Sequence, residues 1–427
     1  MGTIPIGRSP AKIPVANTES PMSPAKTTQM TRANAVTTTA PSWWAELIAG
    51  LVAEGVLSQQ WHEAFLAVPR ELFIPDVIWR YAGDDLVPLR RADDPDEWLR
   101  RAYGPRYVVT QVDDGTPAGP EGRGRVATSS ASRPDIVALM LEAGRVEPGM
   151  RILEIGTGTG YTAALLAHRL GARNVTSIEV DPHLAAQARG TLQRAGYGEV
   201  TVITGDGTQS YSAGASFDRV LSTVAAPQVP YAWVAQTRPG GLVVTPWGSA
   251  FKPAGLLSLT VRPDHTATGG LVNTTISFME LRDQRIPRPA ITELVHDTDT
   301  PHISYTELHA SHLCNDEDAL FAIGLQVPGC HWKYQPATDD DDRWHVWFLD
   351  ADSRSWARFD YQPRIRRWPV YQFGPRRLFD EITAAYHHWD QAGRPPVTQW
   401  RFTITPRGQQ VKLTGTDIHH QPAAPWR

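Results

Sequence analysis

The spacing of apolar residues changes along the chain and predicts different elements in different regions. From Trp43 to Leu57 apolar residues recur at helical spacing, and the prolines of VPRELFIP (68–75) limit any helix that follows. Residues 113–124 (DDGTPAGPEGRG) have the composition of a loop. We therefore predict a helical N-terminal subdomain over residues 41–125. A disordered tail, rich in Pro, Thr, Ser and Ala, is expected over residues 1–40.

From Met150 onward, short apolar runs alternate with helical patterns. A strand at 151–155 leads through a glycine loop into a helix closed by Gly171, and a second strand at 174–180 leads into a helix from Pro182 to Gly196. Further strands are predicted at 201–203, 219–222, 242–245, 256–261 and 275–279, with a helix near 231–236. The alternation predicts an α/β fold with a doubly wound, Rossmann-like parallel sheet over residues 126–290.

The C-terminal third is rich in aromatic residues with strand-like spacing. Strands are predicted at 344–349, 355–361 and 370–373, followed by a helix after Gly374 and a hairpin of 402–405 with 409–413. We expect residues 300–427 to form an α+β module. Its Trp and Tyr side chains belong either to a core or to a peptide-binding face that recognises substrate.

Composition excludes several classes of partner. The formal net charge is −4 and the sequence pI about 6.4, so no basic excess exists to bind a nucleic acid. No apolar run approaches the roughly 18 residues that a membrane helix needs. Cys314 and Cys330 are too few for a disulfide framework, and the N-terminus lacks the pattern of a signal peptide. We expect a cytoplasmic protein with neither nucleic acid nor membrane as partner.

Two clusters of potential metal ligands have the wrong spacing for a metal site. His302, His309, His312 and Cys314 match no standard zinc pattern, and Asp339–Asp342 lacks the glycine and terminal Glu of an EF-hand loop. No metal is expected.

The glycine loop is the strongest chemical feature. Its GxGxG spacing, from Gly156 to Gly160, places Tyr161 where a dinucleotide-binding loop would have its third glycine. Glu154, just before the loop, would repel a pyrophosphate but suits a cofactor that carries an ammonium and a sulfonium. S-adenosylmethionine is therefore the expected cofactor.

Two acidic residues at the ends of later strands strengthen this assignment. Glu179 can accept both ribose hydroxyls, and Asp206 can meet the adenine amino group. Alternatively, the loop serves tight packing, Glu179 is a solvated strand end, and Tyr161 merely begins a helix. The remaining candidate cofactor contacts are Thr157, Gly158, Val180, Gly205, Gly207 and Thr223.

Six segments in this order resemble the protein-L-isoaspartate O-methyltransferases over residues 43 to about 250. They are VPRELFIP, ATSSASRPDIVALMLE, LEIGTGTGYTAALLA, SIEVDP, GDG and STVAAP. The resemblance implies a class I methyltransferase fold, S-adenosylmethionine as cofactor, and methyl transfer to a carboxylate. A carboxylate with a pKa of about 3.9 is ionised at neutral pH, so no general base is required.

The resemblance also implies candidate substrate residues. In the family the Ser of a TxSQP segment contacts the substrate carboxylate. Ser132 matches that Ser, Ser130 the Thr, and Arg133 replaces the Gln. Ser130 and Ser132 are the catalytic candidates, although Ser132 just before Pro134 would also suit helix capping. Ser129, Arg133, Ile136 and Val137 are the candidate substrate contacts.

The TSSxSxP form and the long C-terminal region are similar to a narrower branch, found beside ATP-grasp ligases in graspetide biosynthesis. This likeness implies methylation of an Asp in a modified, macrocyclised precursor peptide, followed by succinimide formation, and functional pairing with an ATP-grasp ligase. A related branch serves lanthipeptides, and a repair enzyme for isoaspartate in aged proteins is the other alternative.

Overall fold

The computed structural model describes residues 40–117, 119–211, 216–336 and 343–414, and the backbone of residues 419–420. The predicted tail before Ala40 and the Asp339–Asp342 segment lie outside the described residues.

The N-terminal region combines helices with a sheet. Its helices are α1 (Ser42–Ala53), α2 (Gln59–Ala67) and α3 (Pro95–Ala102), and its strands are β1 (Val77–Ala82), β2 (Asp85–Arg90), β3 (Val108–Val112) and β4 (Ala127–Ala131). The strands form an antiparallel sheet in the order β2-β1-β3-β4. The N-terminal region therefore contains helices, as predicted, and also a sheet that was not predicted. The sequences VVTQV and ATSSA place polar residues on buried strand positions, which hides the alternation typical of a strand.

The next region supplies most of the central sheet. Its elements in chain order are α4 (Pro134–Gly144), β5 (Ile152–Ile155), α5 (Tyr161–Leu170), β6 (Val175–Glu179), α6 (Pro182–Arg194), β7 (Thr201–Thr204), β8 (Phe217–Ser222), α7 (Tyr231–Ala235), β9 (Thr237–Pro246), β10 (Leu256–Val261) and β11 (Ala267–Asn273). The predicted β-loop-α units are confirmed, with Gly171 capping α5 and Pro182 opening α6. The predicted strand at 275–279 is wrong, because the chain forms β11 earlier and is irregular afterwards.

The last region adds helices and two further groups of strands. They are α8 (Ile291–Leu294), β12 (His302–Thr306), α9 (Ser311–Cys314), α10 (Glu317–Gln326), β13 (His331–Pro336), β14 (Trp344–Asp350), β15 (Ser355–Tyr361), β16 (Trp368–Phe373), α11 (Leu378–Gln391), β17 (Trp400–Thr405), β18 (Gly408–Leu413) and β19 (His419–His420). The strands predicted around 344–373, the helix after Gly374 and the final hairpin are confirmed.

The central sheet is mixed, which corrects the prediction of a parallel sheet. Its ten strands have the order β19-β18-β17-β11-β10-β9-β8-β5-β6-β7. Strands β7, β6, β5, β8 and β9 are parallel, and β10, β11, β17, β18 and β19 pair antiparallel. Strands β10 and β11 follow each other through a short turn, and such a connection permits antiparallel pairing alone.

A separate antiparallel sheet has the order β12-β16-β15-β14-β13, and we call it the C-terminal sheet. Aromatic contacts join it to the central sheet. Trp247, just after β9, packs against Phe321 and Phe402, and Phe251 stacks on Phe348 of β14 with 6.2 Å between ring centroids. One continuous hydrophobic cluster therefore extends across both sheets. None of the helices in the described part of the chain is long and apolar enough to cross a membrane.

Candidate active site

The strand order of the parallel sheet reverses between β5 and β8, the position at which open α/β sheets bind ligands. The glycine loop follows β5 at this point, with φ of +89° at Gly156 and +52° at Gly158. A Cβ at Gly156 would lie 2.7 Å from Thr223 Oγ1, so close packing requires glycine there. At Gly158 the nearest atom to such a Cβ would be Ser129 Oγ at 3.7 Å, so the backbone there borders open space.

Glu154 lies fully buried beneath the loop. Ser177 Oγ donates to Glu154 Oε2 at 2.5 Å, and Thr157 Oγ1 lies 2.6 Å from the same serine oxygen. Glu154 Oε1 has no hydrogen-bond partner among the described residues. Burial, opposed by the Ser177 hydrogen bond and assisted by the negative charge of Glu179, raises the pKa of this carboxyl to about 8. A buried acceptor is thus left available beside the loop.

Glu179, at the end of β6, is tied to the glycine loop. Its Oε2 accepts from the backbone N–H of Gly158 at 2.8 Å, and its Oε1 accepts from the N–H of Asp181 at 3.1 Å. Burial raises the pKa of Glu179, and these two hydrogen bonds oppose the shift. Each carboxylate oxygen keeps a second lone pair, so Glu179 can still accept hydroxyls. The neighbouring Val180 is exposed.

The Gly205–Gly207 segment follows β7 at the same edge of the sheet. The carboxylate of Asp206 is exposed and accepts hydrogen bonds from Thr208 and Gln209. Gly207 packs closely on β5, because a Cβ there would lie 2.7 Å from Ile155 Cγ2.

Two other predicted cofactor contacts, Thr223 and Tyr161, make their contacts within the protein. Thr223 Oγ1 donates to the carbonyls of Ile155 and Gly156. Tyr161 begins α5, and its ring is buried against Phe73 with 5.7 Å between centroids. Gly160 is the N-cap residue of α5, with φ of +88°. We therefore assign Tyr161 to core packing and Thr223 to holding the loop.

Strand β4 places Ser129 next to the glycine loop. Ser129 is buried, faces Gly158 and accepts from Thr110 Oγ1 at 3.2 Å. Ser130, the next residue, is half-buried and pairs with Val109 of β3. Since successive side chains of a strand point to opposite faces, Ser129 and Ser130 lie on different sides of this sheet.

The segment after β4 holds the other predicted substrate residues. Ser132 is half-buried, and its hydroxyl makes no hydrogen bond with any residue that the structure describes. The N-cap residue of α4 is Arg133, without a side-chain cap, so Ser132 does not cap the helix. Arg133 pairs with Asp135 and is half exposed. Ile136 is half-buried, and Val137 is a core residue.

A fully buried arginine from VPRELFIP supports this segment. The Arg70 guanidinium donates to the carbonyls of Ser132 at 2.7 Å and Gly104 at 3.2 Å. Its Nε has no partner among the described residues, and burial lowers its pKa to about 10. Arg70 therefore remains charged at neutral pH beneath the serine segment. The motif VPRELFIP was recognised in the sequence, but no role was predicted for Arg70.

A polar network joins the N-terminal sheet to the end of β6. Gln111 Nε2 donates to Asp181 Oδ2 at 3.0 Å, and the guanidinium of Arg282 lies 3.4 Å from the same oxygen and 3.3 Å from Asp114. Arg285 makes a bidentate ion pair with Asp114. These residues could not be found from the sequence, because β3 was not predicted and the partners lie far apart along the chain.

The residues around the loop fit S-adenosylmethionine. The free buried oxygen of Glu154 can accept from an ammonium group, directly or through water, and the remaining lone pairs of Glu179 suit ribose hydroxyls. The open space at Gly158 admits a ligand close to the backbone.

His309, one of the candidate metal ligands, takes part in an aromatic cluster. Within the described ranges, no group of three or more His, Cys, Asp or Glu could hold a metal ion. His309 Nδ1 lies 2.6 Å from Ser311 Oγ, and its ring packs edge-on against Trp344 and Trp368.

Comparisons with known proteins agree with this site. A family model described as "Protein-L-isoaspartate(D-aspartate) O-methyltransferase (PCMT)" matches residues 121–284. Protein-L-isoaspartate O-methyltransferase of Ignicoccus hospitalis is 36% identical over 203 residues, which cover 47% of this chain and 80% of that protein. Protein-L-isoaspartate O-methyltransferase 2 of a Polaromonas species is 40% identical over 191 residues, 45% of this chain and 82% of that protein.

A solved structure titled protein-L-isoaspartate O-methyltransferase aligns with 86% of this chain and 99% of its own, at 19% identity and a TM-score of 0.49. The match to the two relatives extends over four fifths of their length. The family model covers the glycine loop, the serine segment and both buried carboxylates. The chain therefore belongs to the protein-L-isoaspartate O-methyltransferase family and is an S-adenosylmethionine-dependent carboxyl O-methyltransferase.

Proposed function

We propose that this enzyme methylates the side-chain carboxylate of an aspartate in a ribosomally synthesised, macrocyclised peptide of the graspetide class. The methyl ester then closes to a succinimide. The observation that carries the proposal is the large folded region that follows the residues matched by the family model.

That region begins after residue 284, where the family model ends. It contains the C-terminal sheet and helices α10 and α11, and its core is continuous with that of the central sheet. A repair enzyme that acts on short flexible sites gains little from an added recognition surface, whereas an enzyme that must recognise one folded peptide gains specificity. The TSSxSxP segment, from Thr128 to Pro134, has the form found in the graspetide branch.

The residues at the serine segment suit an acceptor that is already charged. An aspartate carboxylate is ionised at neutral pH, so the enzyme has to orient it and exclude water. Bound S-adenosylmethionine supplies an electrophilic methyl group. The free hydroxyl of Ser132 can donate to the carboxylate, and Arg70 fixes the backbone from which Ser132 projects. Orientation alone can lower such a barrier by about 7 kcal/mol or more.

Succinimide formation needs no further reagent. The backbone amide nitrogen of the residue after the aspartate attacks the ester carbonyl, a C–N bond forms, the C–O bond breaks, and the amide proton leaves with the methoxide as methanol. The macrocycle must exist before methylation, so we also propose that an ATP-grasp ligase acts before this enzyme on the same precursor peptide.

Mass spectrometry of the purified enzyme with S-adenosylmethionine and a cyclised precursor tests the proposal. We expect the addition of one methyl mass, followed by loss of methanol. The uncyclised precursor, a linear isoaspartyl peptide and a thioether-cyclised lanthipeptide are the comparison substrates, and Gly158→Val is the inactive control. Preferential methylation of the isoaspartyl peptide would indicate a repair enzyme, and preferential methylation of the lanthipeptide would indicate the related branch. Either result overturns the proposal.

A further inference from the structure

We infer that the outer edge of β12, together with the arginines of the loop from 364 to 367, binds an extended acidic peptide by strand addition. The inference rests on the proposed function in one respect: we take the docked peptide to be a segment of the peptide substrate outside its macrocycle.

Strand β12 is an open edge. It pairs with β16 on one side, and no described residue pairs with its other side. Half of the backbone N–H and C=O groups of such a strand point outward and can pair with a further strand. Edge strands are usually protected by charged residues or proline. Strand β12, with the sequence HISYT, contains no Lys, Arg, Asp, Glu or Pro.

Large apolar side chains are exposed along this edge. Ile303 is 52% exposed and Tyr305 is 61% exposed, and Ile365 in the neighbouring loop is 39% exposed. Ile303 and Tyr305 are two positions apart on β12, so they lie on the same face of the sheet. An added strand would place its own side chains beside them. Exposed apolar groups concentrated at one edge are typical of an interaction site.

The loop beside this edge is basic. Arg364, Arg366 and Arg367 are exposed, and the pairing of Thr306 with Trp368 places the loop at the end of β12. Arg367 lies over the Tyr305 ring, with 5.9 Å from its Cζ to the ring centroid, and makes a long contact of 3.9 Å with Glu307.

Arg364 and Arg366 make no ion pair with any residue in the described part of the chain. The chain as a whole is acidic, with a net charge of −4. A local group of unpaired guanidinium groups therefore favours carboxylate side chains on the partner, and the open strand edge favours an extended backbone. Together they indicate an acidic peptide.

Fluorescence anisotropy with a labelled synthetic peptide of alternating Glu and Val tests the inference. The probe contains no Asp, so its binding does not depend on methylation. We expect the Glu–Val peptide to bind, with an affinity that falls as salt is raised, and a Lys–Val peptide not to bind. A backbone N-methylated Glu–Val peptide should also fail, because it cannot donate to the edge.

Arg364→Glu combined with Arg366→Glu should weaken binding about tenfold at low salt. The matched control, Arg106→Glu with Arg407→Glu, makes the same change in net charge at exposed sites elsewhere and should alter the affinity by less than about twofold. Equal binding by the charge-reversed and control variants, or by the N-methylated peptide, overturns the inference.

Sedimentation analysis tests whether a second copy of the chain, and not an acidic peptide, occupies the edge of β12. A dimer that Ile303→Lys converts to monomer would show that a second copy of the chain covers β12, and this would also overturn the inference. Failure of the cyclised precursor to be methylated, with binding of the Glu–Val peptide intact, would instead contradict the proposed function alone.

Discussion

In the glycine loop the conformation depends on backbone angles and buried carboxylates, whereas in the C-terminal sheet it depends on the packing of aromatic rings. Gly156 and Gly158 have positive φ, and Glu179 holds the loop through the N–H of Gly158. In the C-terminal sheet, Trp344 stacks on Tyr361 with 4.7 Å between centroids. The first arrangement builds a ligand site from few residues, and the second builds a packed core from many.

The two regions also differ in whether the family model covers them. The family model covers the loop and ends at residue 284, before the C-terminal sheet begins. Changes in the loop should therefore abolish a property common to the family and leave the fold intact. Changes in the C-terminal sheet should alter stability or recognition and leave the cofactor site intact.

The largest expected effect concerns the C-terminal sheet. Trp344→Ala removes a buried ring that contacts Tyr361 and Phe359, and should lower the free energy of unfolding by about 3–5 kcal/mol. Denaturant unfolding measures this loss, and calorimetry should show an unchanged affinity for S-adenosylmethionine in the folded variant. Trp43→Ala, at a site 42% exposed, is the matched control and should have a small effect. A large loss of cofactor affinity in folded Trp344→Ala would show that the two regions are coupled.

The second prediction concerns Gly158 in the glycine loop. Gly158→Val adds a side chain to the open space facing Ser129, at a φ that β-branched residues rarely adopt, and should weaken S-adenosylmethionine binding at least about 100-fold. Calorimetry measures the affinity. Gly149→Val is the matched control, because Gly149 also has a positive φ, of +86°, but borders open space outside the loop. Similar affinity losses in both variants would mean that backbone strain, and not occupation of the site, explains the result.

The same contrast explains what the sequence could predict. Glycine spacing and the prolines and glycines at helix ends act locally, so the loop, α5 and α6 were found with their supporting carboxylates. The N-terminal sheet was missed because Thr110, Gln111 and Ser129 are polar residues on buried strand positions. Their hydrogen-bond partners come from other elements.

Strand pairing between segments that lie far apart in the chain could not be predicted from the sequence either. The hairpin of β17 and β18 was predicted, but its place beside β11 in the central sheet was not, because Ala267 pairs with Ile404 across most of the C-terminal region. Within the site, the role of Arg70 could not be predicted for the same reason. Its contact with Ser132 depends on a fold that brings VPRELFIP beneath the serine segment.

A smaller effect is expected at the serine segment. Because the Ser132 hydroxyl makes no hydrogen bond in the described structure, Ser132→Ala should leave stability nearly unchanged. If the hydroxyl donates to the substrate carboxylate, kcat/KM should fall about tenfold, with S-adenosylmethionine affinity intact. Steady-state kinetics with the unmethylated peptide substrate measure this, with the exposed Ser210→Ala as control. Ser130→Ala tests the second catalytic candidate, and unchanged kinetics in Ser132→Ala would remove Ser132 from the site.

The smallest effect is a pH dependence that belongs to the loop region. Burial raises the pKa of Glu154 to about 8, from the ordinary value of 4.5 that we take for the unfolded chain. Between these two values the folded protein holds a proton that the unfolded chain has lost, so stability falls as the pH rises, by at most about 1.4 kcal/mol for each pH unit. Glu154→Gln cannot ionise and should lose less stability than the wild type between pH 5 and pH 8. Denaturant unfolding at several pH values measures the difference, with the exposed Glu147→Gln as control. Parallel stability curves for the wild type and Glu154→Gln would show that Glu154 is not held protonated beneath the loop. The carboxyl would then be ionised in the folded protein before any cofactor binds.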